Sequence, residues 1–114
     1  MKLIVAIVRP FKVAELVDAI ETDSEFPGMT VLDCRGFGRE KTAPHDHIPE
    51  EDFKDFVDRQ AVIVAAPDAQ AIVIAQRIAQ IARTGRPGDG KVFVLPLEAA
   101  RRIATDETGD EALR

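Results

Sequence analysis

Residues Gly85 to Lys91 read G-x-x-x-x-G-K, the spacing with which nucleotide hydrolases wrap backbone amides and a lysine around phosphate. Val92 follows, where such a loop needs a serine or threonine to hold magnesium. That chemistry also requires a strand before the loop and a helix after it, so that the helix N-terminus meets the phosphate. Here the order is reversed. The helix-periodic AIVIAQRIAQIAR (71–83) precedes the loop and the strand-like KVFVLPL follows it. A hydrolase loop fails on both counts, and two readings remain. Three glycines beside Arg86 and Lys91 can form a concave row of amides that accepts an anion. Alternatively, Gly85 and Gly88 cap a helix and make a tight turn, which the spacing taken alone favours.

The other residues with reactive or ligating side chains are less specific. His45 and His47, with Asp46, Glu50, Glu51 and Asp52, offer nitrogen and oxygen ligands within a short span. H-x-H is common by chance, and a solvated acidic loop is the favoured reading, so no metal is assigned. No nucleophile stands in close spacing to a base. Cys34 is expected to be a small core residue in a strand, and Phe53 and Phe56 to be hydrophobic anchors.

The elements that must position these groups come from a repeat. KLIVAIVRPFKVAELVDAIE runs from a β-branched stretch through Pro10 into Val13, Leu16, Val17 and Ile20 at helical spacing. RQAVIVAAPDAQAIVIAQRIAQIA does the same around Pro67, with Ile72, Ala75, Ile78 and Ala79. The prolines lie 67 − 10 = 57 positions apart, half of the 114 residues. Proline is excluded from a central strand but fits a first helical turn, so each marks a strand-to-helix junction. A glycine-marked turn and a second strand follow each helix, in FPGMTVLDCRGFG and GDGKVFVLPL. The order β-α-β, β-α-β predicts a ferredoxin-like α+β sandwich, an antiparallel sheet with two helices on one face, as a single domain over 1–114. Residues 39–56 form a long proline-containing, acidic connection of the kind that carries function or moves. The tail 101–114 is expected to be loosely held.

Composition narrows the partners. A net charge of −5 and only six aromatic residues, all Phe, argue against nucleic acid. No apolar run reaches the ~18 residues of a membrane span, and a single cysteine leaves no disulfide framework. A soluble, cytoplasmic chain is the expectation, with no direct membrane insertion.

Four separated stretches, AIVRPFK (6–12), PGMTV (27–31), GFGREK (36–41) and TGRPGDGKVFV (84–94), together resemble the PII signal-transduction proteins. They occur in that family's order, and the step of 56 − 41 = 15 residues from Lys41 to Phe56 matches its long T-loop. The resemblance implies a non-catalytic homotrimer that binds ATP, ADP or AMP in clefts between subunits and regulates a protein target such as a membrane transporter or an enzyme. On this chain the T-loop is 39–56, the phosphate-holding B-loop is 84–91 and the C-terminal loop is 101–114. Gly88, Asp89, Gly90 and Lys91 would hold phosphates, completed by Gly36, Phe37, Gly38 and Arg39, and by Arg102 from the neighbouring subunit. Ile7, Thr30 and Val64 would lie near the base and ribose. No resident cofactor is implied, although magnesium can accompany the nucleotide.

The chain departs from the family where a second ligand would bind. Glu40 stands where the family has a glutamine that helps bind magnesium with 2-oxoglutarate, and its charge opposes a dicarboxylate. Arg59 replaces a lysine, Ile63 a glutamate and Ala104 an arginine. With no tyrosine in the chain, uridylylation of the T-loop is chemically excluded. Relatives that sense adenine nucleotide with bicarbonate are the closer pattern, and Lys41, Arg59 or Arg86 would hold the small anion. The alternatives are a nitrogen-regulatory protein sensing 2-oxoglutarate, a metal-responsive relative using His45 and His47, and, less favoured, a nucleotide-hydrolysing enzyme.

Overall fold

Pro10 and Pro67 each end a strand and open a helical turn. The computed structural model describes residues 1–24, 26–37 and 56–114. Strand β1 (Lys2–Val8) runs into a 3-10 turn at Pro10–Lys12 and then α1 (Val13–Thr22). β2 (Thr30–Gly36) and β3 (Val57–Ala66) follow, then α2 (Asp68–Ala82) and β4 (Lys91–Pro96). The Pro67 carbonyl accepts from the Gln70 and Ala71 amides, so the proline starts α2 without an amide of its own being wasted.

The sheet order is β2-β3-β1-β4 and every adjacent pair is antiparallel, the ferredoxin-like arrangement expected. Period-two alternation divides the two faces. Ile4, Ala6 and Val8 of β1 and Val62, Val64 and Ala66 of β3 are buried beneath the helices, against Leu16, Ala71, Ile74 and Ile78. One cross-strand row on the opposite face, Leu32–Ala61–Ile7–Lys91, joins all four strands. Among the described residues neither α1 nor α2 packs on that face, and Leu32, Phe93 and Leu95 are exposed there.

Three sequence expectations are corrected. Helix α2 turns Ala71, Ile74, Ile78 and Ala82 inward; of the expected set 72, 75, 78 and 79 only Ile78 is buried, Ala75 packs at the core's edge, and Ile72 is 62% exposed. The run AIVIA is apolar on every side, so its period alone does not decide which side meets the sheet. Cys34 is half-buried opposite Arg59 on the helix-free side and does not join the core. Burial and the adjacent Asp33 raise its thiol pKa, against an opposing pull from Arg59.

The tail is a built structure rather than a loose end. Arg101 and Thr108 form a β-bridge, Arg102 N–H donates to the Glu107 carbonyl at 2.9 Å, and Gly109 N–H to the Ala100 carbonyl at 3.1 Å. A 3-10 turn, Gly109–Leu113, closes it. Backbone bonds supply the order that its polar side chains do not.

The helix phase has a direct check. Ile78→Ala should cost about 2–5 kcal/mol of unfolding free energy, because it empties a fully enclosed site. Ile72→Ala should stay within about 0.5 kcal/mol in urea denaturation of the same preparation. Equal losses would show that the helix faces were assigned wrongly.

Candidate functional site

The loop after α2 and the base of the long loop meet at one end of the sheet. Pro10 disfavours helical dihedrals at Arg9, and Arg9 is extended at φ −66° and ψ 138°. This prolongs β1, and alternation carries the Arg9 side chain to the helix-free side, as it does Arg59 on the neighbouring strand. Both guanidinium side chains are buried, at 2% and 5% exposure. Their partners are in the glycine loop. Arg9 Nη2 donates to the Pro87 carbonyl at 2.8 Å and its Nε to Asp89 Oδ1 at 3.1 Å. Arg59 Nη2 donates to the Gly88 carbonyl at 3.0 Å, and its Nη1 to the Asp58 carbonyl at 2.7 Å.

Asp89 organises the loop from inside. Its Oδ2 accepts from the Thr84 amide at 2.8 Å and the Gly85 amide at 2.9 Å, while Oδ1 accepts from the Thr84 hydroxyl and Arg9. Desolvation pushes the carboxyl up, but the bonds from Thr84, Arg9 and Gly85 outweigh it and hold the pKa well below the ordinary carboxylate range. The Thr84 hydroxyl oxygen in turn accepts from the Arg86 amide at 3.2 Å. The Asp89 carboxylate therefore faces the loop's own donors, and the amides of residues 84–86 are already engaged within the loop.

The glycines have structural duties of their own. A Cβ at Gly90 would lie 1.7 Å from the Ile7 carbonyl oxygen, and its φ is +102°, so no other residue fits. Gly85 is not the helix cap considered above. Helix α2 ends at Ala82, the extended Arg83 terminates it, and Gly85 comes two residues later. Lys91 begins β4 opposite Ile7 and is exposed, as is Arg86, leaving two cations at the loop's rim.

The base of the long loop lies beside this arrangement. Gly36 and Val57 are the last pair of the β2–β3 ladder, and a Cβ at Gly36 would sit 3.8 Å from Arg59 Cγ. The rings of Phe37 and Phe56 pack with centroids 5.3 Å apart at 43°, bringing together the two ends of the connection. Phe56, expected as a hydrophobic anchor, stands at the loop's root. Gly38, Arg39, Glu40, Lys41, His45, His47 and Phe53 lie outside the described residues.

Other sequence candidates are dispersed. Thr30 is exposed at the start of β2, in the row Thr30–Ile63–Val5–Phe93, one row from Ile7. The Val64 side chain belongs to the core, so only its backbone faces elsewhere. Within its own chain Arg102 donates to the carbonyls of Ala112, at 3.3 Å, and Arg114, and approaches Glu107 at 3.6 Å. The residues not singled out in the sequence were Arg9 and Thr84. The available signal was a cation at the end of an apolar strand, immediately before a proline. Among the described residues no cluster of three metal-ligating side chains occurs.

Comparison with known proteins gives a consistent result. The family described as "Nitrogen regulatory protein P-II" matches residues 1–107. A relative of that name from Nostoc punctiforme is 38% identical over 113 residues, covering 99% of this chain and 100% of its own. Relatives of the same name from Rhizobium meliloti and Rhodobacter capsulatus are 39% and 35% identical over the same coverage.

The Asp89 network predicts a pH signature. A carboxyl whose pKa is lowered by folding stabilises the fold fully above the unfolded value, about 4, and loses that contribution as pH falls further. Asp89→Asn should therefore cost about 1.5–3 kcal/mol at pH 7. The gap from wild type should narrow in urea denaturation at pH 3, and a gap independent of pH would contradict this account of Asp89.

Proposed function

The chain belongs to the nitrogen regulatory protein P-II family, and from that premise we propose that it senses adenine nucleotide and signals to a protein target. A regulatory role in signal transduction is what the family supports. In the finer reading ATP, ADP or AMP binds at the 84–91 loop with its phosphates toward Lys91, and the long loop 39–56 reports occupancy to a transporter or enzyme. The observation that carries this reading is the loop itself. It is held by buried charge, and it has Lys91 and Arg86 at its rim. Preorganised amides with adjacent cations suit a polyanion, because little ordering cost is left to the binding step.

Assembly belongs to the same proposal. The sheet face away from α1 and α2 exposes Leu32, Phe93 and Leu95, apolar surface that a small domain covers by closed association. A homotrimer would cover it and would bring Arg102 of one subunit toward the loop of the next. For a second ligand, Glu40 opposes a dicarboxylate, and a small anion such as bicarbonate is the proposed choice. The name of the relatives favours the other reading, nitrogen regulation. No catalytic role is proposed.

Isothermal titration tests the nucleotide reading. Wild type should bind ATP, and Lys91→Ala and Arg102→Ala should each weaken it roughly ten- to a hundred-fold, the worth of one charge-assisted contact. Unchanged affinity in both variants would remove the proposed cleft. Added 2-oxoglutarate should bind weakly with Mg-ATP and more tightly after Glu40→Gln, whereas micromolar binding to wild type would favour the nitrogen-regulatory reading. Light scattering should give three times the chain mass of 12.5 kDa; a monomer at micromolar concentration would refute the trimer.

A further inference from the structure

We propose that the flank of α2 beside the open edge of β4 is a docking surface for an acidic amphipathic helix of a protein partner. Successive helical residues are turned by about 100°, so the buried stripe Ala71, Ile74, Ile78 and Ala82 leaves two flanks. One carries Arg77, which bonds Asp23 at the end of α1 at 3.3 Å and so faces α1. The other carries Ile72, Ala75, Ala79 and Arg83, spaced i, i+3, i+7 and i+11, and faces away from α1. Helix α2 lies over β1 and β4, and β4 ends the strand order. Val94 pairs with Ile4, whose side chain is buried beneath the helices, so Val94 points to the same side of the sheet. Ile72 is 62% exposed and Val94 44%. Ala75 and Ala79 carry only methyl groups, which lets another helix approach α2 closely.

Charge complementarity selects the occupant. The chain has 20 acidic residues and a net charge of −5, yet residues 69–88 contain none of them and carry Arg77, Arg83 and Arg86. The exposed side of α1, by contrast, carries Glu15, Asp18 and Glu21. Arg83 ends the apolar flank and Arg86 follows it, and both are exposed. From Ile72 to Arg83 the helix rises by about 16 Å. A partner helix lying along α2 would set apolar residues on Ile72, Ala75 and Val94 and present carboxylates about three turns further on, against Arg83 and Arg86. A lipid or nucleic-acid polyanion is the poorer match, because two exposed arginines on a chain of net charge −5 make a weak field and leave the apolar anchors unused. The homotrimer proposed above uses the opposite face of the sheet and leaves this flank outward. The inference does not depend on the nucleotide reading.

The test uses the full chain and a synthetic helical peptide of about four turns, with leucines at i, i+3 and i+7 and glutamates in the turn that follows. In NMR titration the peptide should shift the amides of 72–83 and 92–95 and leave those of α1 and β2 unmoved. Ile72→Ser and Arg83→Glu should each weaken binding about tenfold or more, the effect of losing an interface anchor or a charge contact. A second peptide with lysines in place of the glutamates should bind wild type about tenfold more weakly than the first, and Arg83→Glu should recover its binding. Both substituted positions are exposed, so both variants should keep the wild-type unfolding curve in urea. Shifts centred elsewhere, equal affinity for the two peptides, or no binding at roughly 1 mM peptide would overturn the docking surface. So would a lower assembled mass for Ile72→Ser than for wild type in light scattering, because the flank would then be an interface between copies of this chain.

Discussion

Burying a guanidinium is costly unless acceptors replace the water it loses, and this fold buries two from adjacent strands at the same end of one sheet. The Asp89 carboxylate and the carbonyls of Asp58, Pro87 and Gly88 are the acceptors that make this tolerable. The loop after α2 is therefore both the stabiliser of the buried charge and the element that the charge shapes. Neither side can be removed without stranding the other. This is why an exposed, glycine-rich segment has a defined form where its composition alone would allow many.

The same constraint explains how residues far apart in the chain come to act together. Arg9 stands 80 positions from Asp89, and Arg59 stands 29 from Gly88. The two prolines terminate their strands, the antiparallel ladder aligns the strand ends, and the Gly90–Ile7 approach closes the loop onto β1. Phe37 and Phe56 then hold the root of the long connection against the same sheet end. Arg59, two residues beyond Val57 on β3, contacts the glycine loop through the Gly88 carbonyl and so lies between that loop and the root of the long connection.

Family membership and the residue reading agree on architecture and divide the loop's labour differently. The resemblance grouped Asp89 and Gly90 with the phosphate contacts. In the fold the Asp89 side chain satisfies the loop's own donors, and Gly90 is required by a backbone approach to Ile7. Lys91 and Arg86 are exposed at the rim.

Much was legible in the sequence because it depends on local physics. The strand-to-helix junctions follow from proline's fixed φ, the element order from the internal repeat, and the sheet topology from that order with right-handed crossovers. The exclusion of a hydrolase loop followed from element order and from Val92. What only the tertiary structure decided is equally specific. The inward side of α2 was undetermined because AIVIA is apolar all round, and the sheet selected Ala71, Ile74 and Ile78. The tail's order comes from backbone bonds that leave no mark in composition. Nothing in the sequence marked Arg9 as enclosed by two strands and a loop, since burial depends on what packs alongside. Whether a charged side chain binds a ligand or builds the site is a question of distance, and distance is set by the fold.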